Sequence, residues 1–286
     1  MKKTYLLLLS SLFLLSACAS QWQKKYDSTG EKQYTLKFQN NNTAPDTGLI
    51  TISPAALKDG DILFSADKGF ISKSIRYLGG TSVSHTFIYI GDGQVAEAVG
   101  SGVRISSIEK SIKESPLLAV YRHPELTPLH SSKIRQFAHD NAGKNYNNFG
   151  IVKQLPYTIT RKACELPIIP RHIRHLCLNT MAVVQISVPT FHHTNNRYFC
   201  SQFVIEAYNK ANLPLTHLNP EWISPADILH MRENDVPSIV PNIKLEYVGH
   251  LRCRDSLLHG SCKQDSQAVN SDFKPNHSGS LKTTYF

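Results

Sequence analysis

Residues 84–99 constrain this chain more tightly than any other stretch. His85-Thr86-Phe87-Ile88-Tyr89-Ile90 reads as a strand, Gly91-Asp92-Gly93 as a turn and Gln94-Val95-Ala96-Glu97-Ala98-Val99 as the returning strand. Aromatic and β-branched residues flank residues that tolerate positive φ, the signature of a hairpin. Loop length then decides which side chains meet, because a slip of one residue turns every side chain to the opposite face. With Asp92-Gly93 alone as the loop, Ile88 opposes Glu97 and His85 faces away. A three-residue loop, Gly91-Asp92-Gly93 with Gly93 left-handed, sets Phe87 opposite Glu97. His85 and Glu97 then share a face on a cross-strand diagonal within reach of long side chains. A carboxylate there holds one tautomer of the imidazole, the work of a triad's third member. A structural strand histidine and a solvated strand carboxylate are the plainer alternatives.

The N-terminus sets the compartment. Lys2 and Lys3 precede an apolar run, Tyr5 to Leu15, too short for a bilayer core that needs roughly 20 apolar residues. A basic start, an apolar centre and small residues after it make a secretory signal peptide, residues 1–17. The run closes on Leu15-Ser16-Ala17-Cys18, which resembles the bacterial lipobox. That resemblance implies cleavage before Cys18 and diacylglycerol (palmitate-type acyl chains) on its sulfur. An ordinary signal peptide that contains a cysteine is the alternative. By analogy with Gram-negative lipoproteins, Ala19 rather than Asp after the cysteine implies an outer-membrane anchor facing the periplasm.

Six cysteines less Cys18 leave five, an odd number in an oxidising compartment. Cys164 lies close to Cys177, and Cys253 to Cys262; pairing each couple leaves Cys200 as a free thiol, for which catalysis is one explanation. Cys164, His172, His175 and Cys177 form a rival zinc set. Their spacing matches no common site and includes no CxxC knuckle, so disulfides are the preferred reading and no metal or cofactor is expected. The net charge of +9 suits an anionic neighbour such as a lipid headgroup or a cell-wall polymer. The basic residues are dispersed and no nucleic-acid motif is present.

Residues 18–49 are polar and read as a tether; Tyr34, Leu36 and Phe38 alternate with Thr35 and Lys37 in a pattern that allows one short strand. Residues 50–250 form the folded domain, with a His-, Pro- and Arg-rich insertion at about 155–197, and residues 251–286 form a polar tail. Helices are expected over 131–142, stopped by Gly143, over 200–213, and after Ser224-Pro225-Ala226-Asp227, which supplies an N-cap serine, a first-turn proline and an acid.

Cys200 opens the second of these helices, where unpaired N–H groups and the helix dipole lower a thiol pKa; a small buried core cysteine is equally ordinary there. Ser84-His85 leading into Phe87-Ile88-Tyr89-Ile90-Gly91, then Val95-Ala96-Glu97-Ala98, then Tyr198-Phe199-Cys200-Ser201-Gln202-Phe203-Val204 together resemble a permuted papain-like hydrolase of the NlpC-type cell-wall peptidase superfamily. The resemblance is to its YaeF-like and YiiX-like members. The lipobox, Leu57 to Val103, Trp222 to Asp227 and Tyr247-Val248-Gly249-His250 add to it. Ordinary papain-like enzymes place the cysteine before the histidine; here His85 comes first. The resemblance implies an α+β fold, circularly permuted, with a small antiparallel sheet packed against helices. It implies Cys200 as nucleophile, His85 as general base and Glu97 as third residue, where many relatives carry His, Asn or Gln. It also implies a thiol hydrolase that cuts amide bonds through a thioester, with a peptide or amide substrate such as a peptidoglycan stem peptide. A lipid amidase or acyltransferase of the same fold and an idle envelope-binding lipoprotein are the alternatives.

Overall fold

The computed structural model describes residues 20–26, 30–66, 82–146 and 197–253, with positions 173, 176, 177 and 180. Its elements are β1 (Ser20–Tyr26), β2 (Lys32–Phe38), β3 (Ile62–Ser65), β4 (His85–Gly91), β5 (Gln94–Val99), β6 (Gly102–Ser107), α1 (Ile108–Glu114), β7 (Leu117–Arg122), α2 (Pro128–Asn141), β8 (Asn145–Tyr146), β9 (Arg197–Tyr198), α3 (Cys200–Lys210), α4 (Pro225–Leu229) and β10 (Glu246–Cys253). Six strands form one sheet in the order β10-β7-β3-β4-β5-β6, and every neighbouring pair is antiparallel.

Both faces of that sheet are covered. Phe64, Ile88, Ile90 and Ala96 pack in the main core with Phe137 of α2 and Phe203, Val204 and Ala207 of α3. Leu63, Phe87, Val95 and Val120 form a smaller core closed by Ile108 and Ile112 of α1 and by Ile52 and Leu57. Two buried faces explain why β3 (Ile62-Leu63-Phe64) is a continuous apolar run rather than an alternating one.

Capping sets the helix bounds. α2 starts before residue 131, at Pro128, because the Thr127 side chain accepts from the His130 N–H and the His130 ring answers in a capping box. α3 stops at Lys210 rather than residue 213: Asn212 takes φ 60, and the Leu213 N–H returns to the Tyr208 carbonyl. The cap at Ser224 is as the sequence predicts, with Ser224 accepting from the Asp227 N–H and Pro225 in the first turn.

The segment read as a tether is partly structured. β1 and β2 form a separate two-stranded antiparallel sheet. After it, residues 39–50 are strapped to the domain. Gln39 donates to the Val236 carbonyl and to Ser238, and the Asn40 N–H donates to Asp235. Thr43 and Ala44 are buried. Thr43 Oγ1 lies 2.9 Å from His250 Nε2, and the Tyr121 hydroxyl donates to the Thr43 carbonyl. Buried Arg232 ties these groups together through Asp235, Tyr121 and the Asn40 carbonyl. Residues 251–253, expected in the polar tail, belong to the sheet instead, because β10 runs to Cys253 along β7. The signal segment with Cys18, most of the insertion, and residues 254–286 lie outside the described residues, and among those described no helix is long and apolar enough to cross a membrane.

Candidate active site

His85 is the first residue of β4 and Glu97 lies on β5. The register pairs Ile88 with Ala96 and Tyr89 with Val95, and continued by one residue it sets Phe87 across from Glu97, the alignment that the three-residue loop predicts. The means differ. Asp92 and Gly93 form a two-residue turn with φ values of 52 and 69, and Gly91 pairs with Gln94, which leaves Ile90 as an extra residue in a β-bulge. The bulge supplies the one-residue shift that brings His85 and Glu97 to one face. Gly91 is fixed there by φ 91 and by close packing, since a Cβ would collide with Arg135 and Asp59. Arg135 pairs with Asp59 and lies 3.0 Å from Asp92, so α2 braces the turn.

His85 Nε2 lies 2.9 Å from Glu97 Oε2. A carboxylate only accepts, so Nε2 carries the proton, and in the neutral ring Nδ1 is the basic nitrogen. The other carboxylate oxygen, Oε1, accepts from Arg104 Nε at 2.9 Å and Ser106 Oγ at 3.2 Å. Arg104 sits directly opposite Glu97 on β6. Burial alone raises the Glu97 pKa, but the hydrogen bond and charge of His85, with Arg104, hold it down at about 2. Arg104 and Ser106 are marked in the sequence only by their i, i+2 spacing after the turn residues Gly100-Ser101-Gly102.

Cys200 is the first residue of α3, and no side chain caps that helix. It is 7% exposed and is the free cysteine among the described residues. The groups that act on its thiol are the His85 side chain and the backbone N–H groups of Thr86 and Ser201. Burial opposes a thiolate; the His85 hydrogen bond and charge and the two N–H donors overcome it, and the thiol pKa is lowered. The His85 imidazole is pushed up, because its bonds and charge interactions with Cys200 and Glu97 outweigh desolvation. The pair therefore favours thiolate and imidazolium. Parallel pairing of β8 with β9 brings Tyr146 close enough for the thiolate charge to act on its phenol. Burial and then that charge raise the phenol pKa, so it stays an O–H donor.

Cys177 and Cys253 are each disulfide-bonded. Cys177 is thereby removed from the rival zinc set; Cys164, His172, His175 and Cys262 lie outside the described residues. Among the described residues no group of three or more His, Cys, Asp or Glu is placed to hold a metal ion.

An antiparallel sheet that presents the histidine, followed later in the chain by a helix that presents the cysteine, is the permuted papain-like architecture. The chain belongs to the YaeF/YiiX, C92 family of permuted papain-like amidases. That family's model matches residues 56–155. The chain is also 39% identical over 251 residues to the probable lipoprotein peptidase YaeF of Escherichia coli strain K12, covering 86% of this chain and 91% of that protein. Among solved structures, the crystal structure of the metalloprotein YiiX from Escherichia coli O157:H7 is similar at 17% identity and a TM-score of 0.38, covering 66% of this chain and 95% of that one.

Proposed function

We propose that this chain is a lipid-anchored cysteine amidase of the cell envelope that cleaves a peptide amide through a thioester on Cys200. The observation that carries the reading is a free thiol at the tip of a helix, lowered in pKa by an imidazole that a buried carboxylate holds at 2.9 Å. His85 Nδ1 takes the thiol proton and Cys200 Sγ attacks the amide carbon. The tetrahedral oxyanion receives the Cys200 backbone N–H, an orphan donor of the first helical turn. We assign the Tyr146 hydroxyl as the second donor, because β8 pairs Tyr146 with Tyr198, two residues before Cys200, and the Cys200 charge acts on its phenol. The C–N bond then breaks, the amine leaves with the proton from His85, and the acyl group remains on sulfur. Water, deprotonated by His85, attacks the thioester and releases the acid and the thiolate.

The lipobox and the lipoprotein named among its relatives support cleavage before Cys18, acylation of its sulfur and an outer-membrane anchor facing the periplasm. That location and the relative's name favour peptidoglycan stem peptides as substrate. Cys164–Cys177 and Cys253–Cys262 are the disulfide pairs that sequence proximity favours, and peptide mapping without reductant tests both. For the activity, purified peptidoglycan and envelope lipid extracts are each incubated with the protein and with its Cys200→Ser variant, and products are identified by mass spectrometry. New amine and carboxyl ends in muropeptides, absent with the variant, are expected. Cleavage confined to lipid amides moves the substrate class to lipids, and activity that survives in Cys200→Ser overturns the mechanism.

A further inference from the structure

The β1–β2 hairpin has one aromatic face that no other part of the described structure covers. Its register sets Trp22 opposite Leu36, Lys24 opposite Tyr34 and Tyr26 opposite Lys32, with Phe38 at the end of the same row. Side chains alternate along a strand, so these residues share one face and Gln21, Gln23, Gln33, Thr35 and Lys37 share the other. Trp22, Tyr26, Tyr34 and Phe38 are 61%, 63%, 64% and 57% exposed. Neither strand joins the six-stranded sheet. An isolated two-stranded hairpin is marginal in water, and a contiguous exposed apolar patch marks a surface that binds something.

Its chemistry and place in the chain identify the occupant. Trp and Tyr sit at the headgroup level of bilayers, where an apolar ring and a polar edge are both accommodated. Lys24 and Lys32 stand in the same row, and basic residues at an anionic leaflet each add attraction. Ser20 follows Cys18 by two residues, a span of at most about 7 Å of extended chain. A lipid on Cys18 would therefore keep the start of the hairpin within that distance of the membrane surface. On the far side, Gln39 and Asn40 are already hydrogen-bonded to Val236, Ser238 and Asp235, so no slack separates the hairpin from the domain.

We propose that the β1–β2 hairpin is a second, non-covalent membrane contact, its Trp22–Tyr26–Tyr34–Phe38 face lying in the headgroup layer of the membrane that holds the anchor. This rests on the Cys18 anchoring proposed above. With two acyl chains on Cys18 the anchor is already firm, so the hairpin's contribution is orientation: it sets the catalytic domain at a fixed height over the leaflet.

The chain has two tryptophans, so Trp222→Phe leaves Trp22 as the sole reporter. Should that variant fold poorly, subtracting the spectrum of Trp22→Phe from that of the unaltered protein isolates the same signal. The acylated protein is reconstituted in phosphatidylethanolamine–phosphatidylglycerol vesicles whose acyl chains carry bromine near the headgroup. Trp22 emission is expected to move to the blue and to be quenched. In the unacylated Cys18→Ser protein freed of its signal segment, Lys24→Gln and Lys32→Gln are each expected to weaken vesicle binding about fivefold, the equivalent of about 1 kcal/mol per basic residue. Unquenched Trp22 in membrane-bound acylated protein overturns the proposal and leaves the anchor standing. Emission already blue before vesicles are added, and dependent on protein concentration, overturns it in favour of a second copy. If mass spectrometry finds Cys18 unmodified, the anchoring reading falls, and Trp22 quenching with the unacylated protein still decides whether the hairpin docks.

Discussion

His85 and Glu97 meet across a hairpin with 2.9 Å between Nε2 and Oε2, and they meet because Ile90 is an extra residue in β4. Without that bulge the Asp92-Gly93 turn pairs Ile88 with Glu97 and puts the two side chains on opposite faces. The carboxylate is then fully engaged, with His85 on one oxygen and Arg104 and Ser106 on the other. A buried anion with three donors stays ionised and cannot drift from the ring. The imidazole is thus held in one tautomer with its second nitrogen toward Cys200.

The thiolate–imidazolium pair gives the first prediction. Cys200 reacts with iodoacetamide well below the pH near 8.5 at which an ordinary free thiol half-ionises. His85→Ala removes the largest favourable influence on the thiolate, so the labelling midpoint moves up in pH. Amidase turnover falls by about 10²–10⁴-fold, the usual worth of a positioned general base. Alkylation rates measured across pH on both proteins check this, and superimposable profiles contradict it.

Glu97 and Arg104 give the second. In Glu97→Gln the amide oxygen can still accept from His85, so the tautomer survives, but the negative charge that supports the imidazolium is gone and Arg104 is left beside it. The expected result is a labelling midpoint displaced toward higher pH and a loss of activity smaller than that of His85→Ala. Arg104→Gln added to Glu97→Gln removes the unbalanced guanidinium and recovers part of the displacement. A double variant with the same profile as Glu97→Gln alone shows that Arg104 acts on packing only.

Much of this site was legible in the sequence because it depends on local signals. The helix tip at Cys200, the caps at Ser224 and the hairpin between His85 and Glu97 are each written within a few residues. The hairpin pattern predicts a three-residue loop where the protein uses a bulge at Ile90, because a bulge and a longer loop shift pairing by the same one residue. What was illegible is long-range. The Gln39–Ile50 strap reads as polar linker because its polar groups are satisfied by residues nearly 200 positions away, such as Asn40 by Asp235. Arg104 and Ser106 look like ordinary strand residues until β6 lies beside β5 and sets Arg104 opposite Glu97.

That strap gives a pH-dependent stability. His250 is fully buried, between Thr43 on Nε2 and Tyr247 on Nδ1. Burial, with the nearby Arg232 charge, pushes its pKa down from 6.5 to about 3. Below about pH 6.5 the unfolded chain takes up a proton that the folded protein refuses, so unfolding is favoured. This contribution to stability is complete above pH 6.5 and drains away as the pH falls toward 3. Thermal unfolding followed from about pH 7.5 down to about pH 4, which spans most of that window, shows a falling Tm in the unaltered protein. His250→Gln starts from a lower Tm and falls less steeply; parallel slopes contradict the assignment.

The role proposed for Tyr146 allows formation of the nucleophile to be tested separately from stabilisation of the transition state. Its hydroxyl is a neutral donor, because burial and the neighbouring thiolate both oppose its ionisation. Tyr146→Phe keeps the ring and its packing and deletes only the O–H. The groups that lower the Cys200 thiol pKa are the His85 ring and the Thr86 and Ser201 amides, not the Tyr146 hydroxyl. Alkylation of Cys200 therefore keeps its rate and pH profile within about twofold, the scatter of context effects below about 0.5 kcal/mol. Turnover of an amide falls by about 10²–10³-fold in kcat, the cost of losing one oxyanion donor, with KM little changed because the oxyanion exists only along the reaction path. A variant whose labelling and turnover decline together means that Tyr146 shapes the pocket around the thiol, and the second donor must then be sought elsewhere.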